Sequence, residues 1–275
     1  MMEPKILQRI ANERRADAVT MIHDAKTGHT GGSMSSLDIL TVLYYDVMNV
    51  DPKAPRKPGR DRFFLSKGHS VEGYWAILAD KGFFPRSWLK TFSRPGSPLI
   101  GHPNNKVPGV ETCTGALGHG LAIAVGAALG AKRTGQTFRA YCVMGDGEQA
   151  EGSVWEAAMA ASNYHLDNLW AVVDRNGLQI SGTTETVMAL DDLAERWRAF
   201  GWDVQTADGH DAAALQAYFH SARPEGKPHL LVAKTVKGKG LPFAENRADW
   251  HHHVPTDEQL AVAYEALGVK GVSFE

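Results

Sequence analysis

The chain predicts an α/β fold built on a doubly wound, mostly parallel sheet with helices on both faces. Two apolar runs, Tyr141–Met144 (YCVM) and Leu169–Asp174 (LWAVVD), have the length and composition of strands buried on both sides. Glu151–Tyr164 between them has helical length and composition, so the stretch reads as a βαβ unit. Downstream, Trp202–Thr206, Asp211–Arg223 and Pro228–Ala233 repeat the strand–helix–strand alternation. In such sheets ligands bind beyond the carboxyl ends of the strands.

Composition sets the outer bounds. With 275 residues the chain can bury one large α/β core or two small ones, and the expectation is a single domain over 1–275. Hydrophobic residues at 43% and charged residues at 22% are ordinary for a soluble protein. A net charge of −2 gives no reason to expect nucleic acid or an anionic membrane as partner. The N-terminus MMEPKILQRIANERR has no apolar run of the signal-peptide kind. Cys113 and Cys142 lack metal-type spacing and read as free thiols of a cytoplasmic protein.

In chain order, residues 4–27 carry a rough apolar stripe (Ile6, Ile10, Ala18, Met21, Ile22) and predict a helix. Gly28 stops it, His29-Thr30-Gly31-Gly32-Ser33 reads as a loop, and Ser36–Tyr45 predicts the second helix. Arg62–Leu65 is a short strand that opens through Ser66-Lys67-Gly68-His69 into a helix over Val71–Lys81. Lys67 is open between facing a phosphate and facing solvent. Residues 85–110 are irregular and proline-rich, and Leu121–Lys132 is a helix of small residues suited to close packing. Helices over Leu190–Phe200 and Thr256–Leu267 complete the set.

Chemistry concentrates at two strand ends. Gly145-Asp146-Gly147 follows the first strand of the βαβ unit and Asp174-Arg175-Asn176-Gly177 follows the second. Asp146 offers a carboxylate oxygen, Asn176 an amide oxygen, and the turn after it a backbone carbonyl, that of Leu178. Three protein oxygens leave about three positions of an octahedral Mg²⁺ for two phosphate oxygens and a water. Gly145 and Gly147 let the backbone approach a diphosphate, and the following helix start favours negative charge. A plain turn is the competing reading of either half alone.

These residues resemble the thiamine diphosphate motif GDG…N, with 28 residues between Gly147 and Asn176. The surrounding words GDGEQAEGSVWEAA and LDNLWAVVDRN are similar to transketolases, and the resemblance runs along almost the whole chain. KTGHTGGSMSSLDIL, SKGH, GHP and KGKG followed by WH resemble further transketolase elements. The resemblance implies the thiamine diphosphate-binding fold and four active-site histidines, His29, His69, His102 and His251. It implies that Gly115 and Leu117 touch the cofactor, although Leu117 reads equally as core. It also implies that His69, Lys237 and His251 approach the cofactor and that Ile180 packs near the thiazolium ring. Glu151 and Glu156 read either as helix-surface acids or, by the resemblance, as proton-passing residues between two cofactor sites. His119 departs from the family's usual Gln, and His251-His252-His253 departs from its usual His-Gly-Lys. Adjacent histidines in an extended segment point different ways, so this run does not read as a metal site.

The implied cofactors are thiamine diphosphate and Mg²⁺, with Ca²⁺ or Mn²⁺ as substitutes. The implied reaction is ketol transfer, in which a ketose phosphate passes a two-carbon unit to an aldose acceptor. A full transketolase extends well beyond the equivalent of Glu275, and that further part holds the aminopyrimidine and most sugar-phosphate contacts. The expectation is therefore a diphosphate-binding subunit of a split transketolase, paired with a C-terminal subunit carrying the pyrimidine-binding domain in a heterotetramer with two copies of each chain. Three other readings stand beside it: a subunit of another two-chain thiamine enzyme (2-oxo acid dehydrogenase or decarboxylase type), a non-catalytic binding subunit, and a specialised transketolase for a branched, deoxy or sulfonated sugar.

Overall fold

A computed structural model describes residues 1–275. Helix α1 (Pro4–Ala25) opens on Pro4, whose fixed φ suits a first turn, and α2 (Thr30–Val42) follows after a short connection. Then come β1 (Arg62–Leu65), α3 (Val71–Lys81), α4 (His119–Arg133), β2 (Ala140–Gly145), α5 (Gly152–Asn163) and β3 (Leu169–Arg175). A small antiparallel ribbon, β4 (Leu178–Gln179) with β5 (Gly182–Thr183), leads into α6 (Thr184–Val187) and α7 (Leu193–Ala199). The chain closes with β6 (Asp203–Asp208), α8 (Ala212–His220), β7 (His229–Lys234) and α9 (Asp257–Leu267).

Five strands form one parallel sheet in the order β1-β2-β3-β7-β6. Alternate residues of each strand serve opposite layers, as period-two side-chain geometry demands. Tyr141 and Val143 join a core with α1, α2, α3 and α8, while Cys142 and Met144 join a second core with α4, α5 and α7. Each buried large side chain contributes on the order of 1.5–3 kcal/mol. The sheet is therefore doubly wound, as the sequence predicts. No helix is long and apolar enough to cross a membrane, and Cys113 and Cys142 are both unpaired.

One segment differs from expectation in a way that matters. His29–Ser33 is not a loop: α2 begins at Thr30 and takes both glycines into its first turn. Close packing explains their presence there. A Cβ on Gly31 would stand 2.8 Å from the Trp250 carbonyl oxygen, and one on Gly32 would stand 2.5 Å from Ser70 Oγ. The ribbon and α6 are additions that no periodicity announces, since each strand of the ribbon has only two residues. The other predicted helices and strands are present with ends shifted by up to three residues.

Candidate active site

A cavity of about 450 Å³ lies beyond the carboxyl ends of β1, β2 and β3. Asp146 stands at its floor, directly after β2, with 2% of its surface exposed. Its carboxylate accepts from the N–H groups of Gly147 at 2.8 Å and Gly177 at 2.6 Å, and lies 3.4 Å from Arg175 Nη1. Asn176, after β3, directs Oδ1 to the N–H of Leu178 at 3.1 Å. The Leu178 carbonyl accepts from Lys237 Nζ at 3.5 Å. A carboxylate, an amide oxygen and a carbonyl thus share one wall, the hard-oxygen set that Mg²⁺ takes. Burial, then the charge of Asp174, pushes the Asp146 carboxyl above its usual range, so the site favours a compensating cation. No three His, Cys, Asp or Glu side chains anywhere in the chain are arranged to hold a metal ion by themselves.

Gly147 is closely packed on this wall, where a Cβ would meet that of Gln179 at 3.0 Å. Gly145 also lines the cavity, and a Cβ there would make only ordinary contacts, with Lys67 Cβ at 3.8 Å and Glu148 Cβ at 3.9 Å. Gly115, at φ +135°, lies under His102, whose Cδ2 is 2.4 Å from where a Cβ would be. His102 itself stands behind Gly115 and is not part of the cavity wall.

The predicted histidines converge. The ring centroid of His29 lies 5.2 Å from that of His69, 6.1 Å from His102 and 5.5 Å from His251. His69 and His251 stack at 5.1 Å. Burial lowers all four: His29 to about 4, His251 to about 3, His69 well below its ordinary value, and His102 also downward. Neutral imidazoles carry one donor and one acceptor each, the state suited to exchanging protons with hydroxyls near neutral pH. Lys237, lowered to about 8 by burial and then by Lys67, places Nζ 3.0 Å from His251 Nδ1.

Three buried acids hold this arrangement, and nothing in the local sequence marks them as supports. Glu72 on α3 accepts from the His29 N–H at 2.8 Å and from Ser33 Oγ at 2.7 Å. Asp174, fully buried at the end of β3, binds Ser35 Oγ at 2.6 Å, Thr235 Oγ1 and Lys67 Nζ. Burial raises its carboxyl, yet Lys67 and these hydrogen bonds hold it below its usual range. Lys67 is therefore not solvent-facing; it lines the cavity at 1% exposure. Glu148 accepts from Gly118 N–H at 2.8 Å and Gly145 N–H at 2.9 Å, tying the start of α4 to the end of β2.

Leu117 lines the cavity, half-buried, so it is not core. Ile180 also lines it but is 73% exposed. Glu151 sits on the rim and Glu156 lies outside it on α5; both are exposed in this chain. His119 is exposed, with Nδ1 3.0 Å from the Leu117 carbonyl, and does not enter the cavity.

The family described as "Transketolase, thiamine diphosphate binding domain" matches residues 6–275. The chain belongs to the transketolase family. It is 49% identical to one of the subunits of apulose-4-phosphate transketolase from Phocaeicola vulgatus, covering 95% of this chain and 94% of that one. It is 40% identical to the 6-deoxy-6-sulfo-D-fructose transketolase subunit SqwG of a Clostridium species, covering 98% and 100%. Among solved structures, a Campylobacter jejuni transketolase superposes with a TM-score of 0.94 at 32% identity, covering all of this chain and 44% of that one. The chain thus spans less than half of that one-chain transketolase and nearly the whole of the subunits. It is a thiamine diphosphate-binding subunit of a transketolase-type transferase, which favours this reading over the 2-oxo acid dehydrogenase and decarboxylase types.

Proposed function

We propose that this chain supplies the diphosphate- and metal-binding half of a two-chain transketolase that moves a ketol unit from a ketose phosphate to an aldose acceptor. The observation that carries the reading is the convergence of Asp146, Asn176 and the Leu178 carbonyl with His29, His69 and His251 on one cavity, with the His102 ring 6.1 Å from that of His29. Asp146, Asn176 and Leu178 would hold Mg²⁺, or Ca²⁺ or Mn²⁺ in its place, to neutralise the diphosphate. Gly145, Gly147 and Lys237 bring backbone and positive charge to the same anion, and Leu117 and Ile180 give an apolar wall. Bound thiamine diphosphate supplies the electron sink for breaking a carbon–carbon bond next to a carbonyl. The chain's own part is to orient the ketose and to move protons at its hydroxyls. His29, His69, His102 and His251 are placed for this, each neutral near pH 7 and so able to accept or donate.

The partner is a C-terminal transketolase subunit with the pyrimidine-binding domain, in an assembly of two copies of each chain. Support comes from the word "subunit" in the relatives' names and from the 44% coverage of the Campylobacter chain. Ile180 and Glu151 are exposed on the rim that such a chain would cover, and Glu151 and Glu156, both exposed in this chain, would pass protons between paired sites. The higher identity to subunits named for apulose-4-phosphate and a sulfonated fructose, against 38% for human transketolase, supports a specialised ketose over the pentose phosphate reaction. The unpaired thiols fit a cytoplasmic setting.

Calorimetric titration of thiamine diphosphate into the chain tests the assignment. Binding should require Mg²⁺, be lost with EDTA and be lost in Asp146→Ala. Equal affinity with and without the metal would reject the proposed ligand set.

A further inference from the structure

The run His251-His252-His253 does not act as a block. Trp250 and the two outer histidines pin it from both sides. His251 turns inward to stack on His69 and meet Lys237. His253 turns back, its ring 4.5 Å from that of Trp250, while its carbonyl accepts from the buried Thr30 Oγ1 at 2.6 Å. His252 is left with a defined place between them. Its ring lies 4.7 Å from that of His29, edge-on at 77°. Its Nε2 is 3.5 Å from Thr27 Oγ1, at the limit of a hydrogen bond, and Nδ1 has no partner in the protein.

We propose that His252 is a specificity-determining residue, the outermost member of the histidine wall, which hydrogen-bonds a hydroxyl of the sugar on the solvent side of His29. This rests on the transketolase reading above. Three features of the geometry support it. His252 touches His29 but does not line the cavity around Asp146, so it stands on the approach to the reacting centre rather than at the cofactor. An exposed ring gains little from burial, whereas its free nitrogen beside a substrate path offers a donor or an acceptor, according to the tautomer. A ketose with a hydroxymethyl branch next to its carbonyl places a hydroxyl there that its unbranched isomer carries further along the chain.

The test uses the enzyme reconstituted with its complementary subunit, comparing wild type, His252→Gly and His252→Asn on a branched ketose phosphate (apulose 4-phosphate) and an unbranched one (xylulose 5-phosphate). His252→Gly should lower kcat/KM for the branched sugar about tenfold, mainly through KM, as expected for one lost hydrogen bond to substrate. The unbranched sugar should change about twofold or less, and His252→Asn should recover part of the loss. Thiamine diphosphate affinity, measured on this chain alone, should be the same in all three. An unchanged ratio between the sugars, or a parallel fall in cofactor affinity, overturns the assignment while leaving the transketolase reading intact. A wild-type enzyme that cleaves neither sugar overturns the assignment, and one that cleaves no ketose at all overturns the transketolase reading as well.

Discussion

The backbone N–H of His29 donates to Glu72 Oε1 at 2.8 Å, and the same carboxylate takes the Ser33 hydroxyl through its other oxygen at 2.7 Å. One fully buried acid therefore fixes both the histidine before α2 and the first turn of that helix. It also packs against Gly28, where a Cβ would come 2.7 Å from Oε1. Replacing Glu72 by Ala leaves the His29 N–H without its acceptor and should destabilise the chain by about 1–3 kcal/mol. It should also lower turnover more than it weakens cofactor binding, because His29 and not Asp146 loses its anchor. Denaturant unfolding and cofactor titration on the same variant check both parts.

The same residue gives a pH signature. Burial pushes the Glu72 carboxyl from 4.5 up to about 7. Between those values the folded chain keeps a proton that the unfolded chain has released, so this contribution to stability falls as pH rises. Across the window the loss is at most about 3 kcal/mol. His29 and His251, lowered by burial to about 4 and about 3, act in the other direction: stability falls as pH drops below about 6.5, where the unfolded imidazoles take up protons. Glu72→Gln removes this one contribution and leaves the others, so raising pH from 5 to 8 should favour the variant relative to wild type. Parallel urea-unfolding stabilities across that range would contradict the Glu72 assignment.

Asp146 and His102 should separate binding from turnover. Asp146→Ala removes a proposed metal ligand, and Mg²⁺-dependent thiamine diphosphate binding should be abolished. His102→Ala removes a ring that lies behind Gly115, outside the cavity wall. It should leave cofactor affinity within about twofold while cutting kcat by about a hundredfold or more, the usual scale for a lost proton-transfer group. The reversed pattern would refute both roles.

Lys67 and Asp174 form a buried ion pair under the cavity. Lys67→Met alone should cost about 3–5 kcal/mol, because it strands a buried carboxylate. Lys67→Met combined with Asp174→Leu should be less destabilising than the two single changes summed. A double-mutant cycle in urea reads the coupling, and strict additivity would mean that the two groups do not depend on each other.

What is legible in the sequence follows from range. GDG and Asn176 announce themselves because each lies at the end of an apolar strand run, and the alternation of strands and helices carries the sheet. The supports are hidden because their partners are distant in sequence: Ser33 lies 39 residues from Glu72, and Ser35 lies 139 from Asp174. Glu72 has the look of an acid in the first turn of a helix, and Asp174 that of a polar strand end. The start of α2 escapes local reading because glycine disfavours helix, while the crowding from the Trp250 carbonyl and the Ser70 hydroxyl that favours glycine there is tertiary. His252 separates from its neighbours only once the direction of each ring is known.

The most direct test of the account mixes this chain with a complementary pyrimidine-binding subunit, thiamine diphosphate and Mg²⁺, and follows formation of the new ketose made by lengthening the acceptor aldose. The account predicts turnover with both chains and none with this chain alone, although this chain alone binds the cofactor. Turnover by this chain without a partner would contradict it.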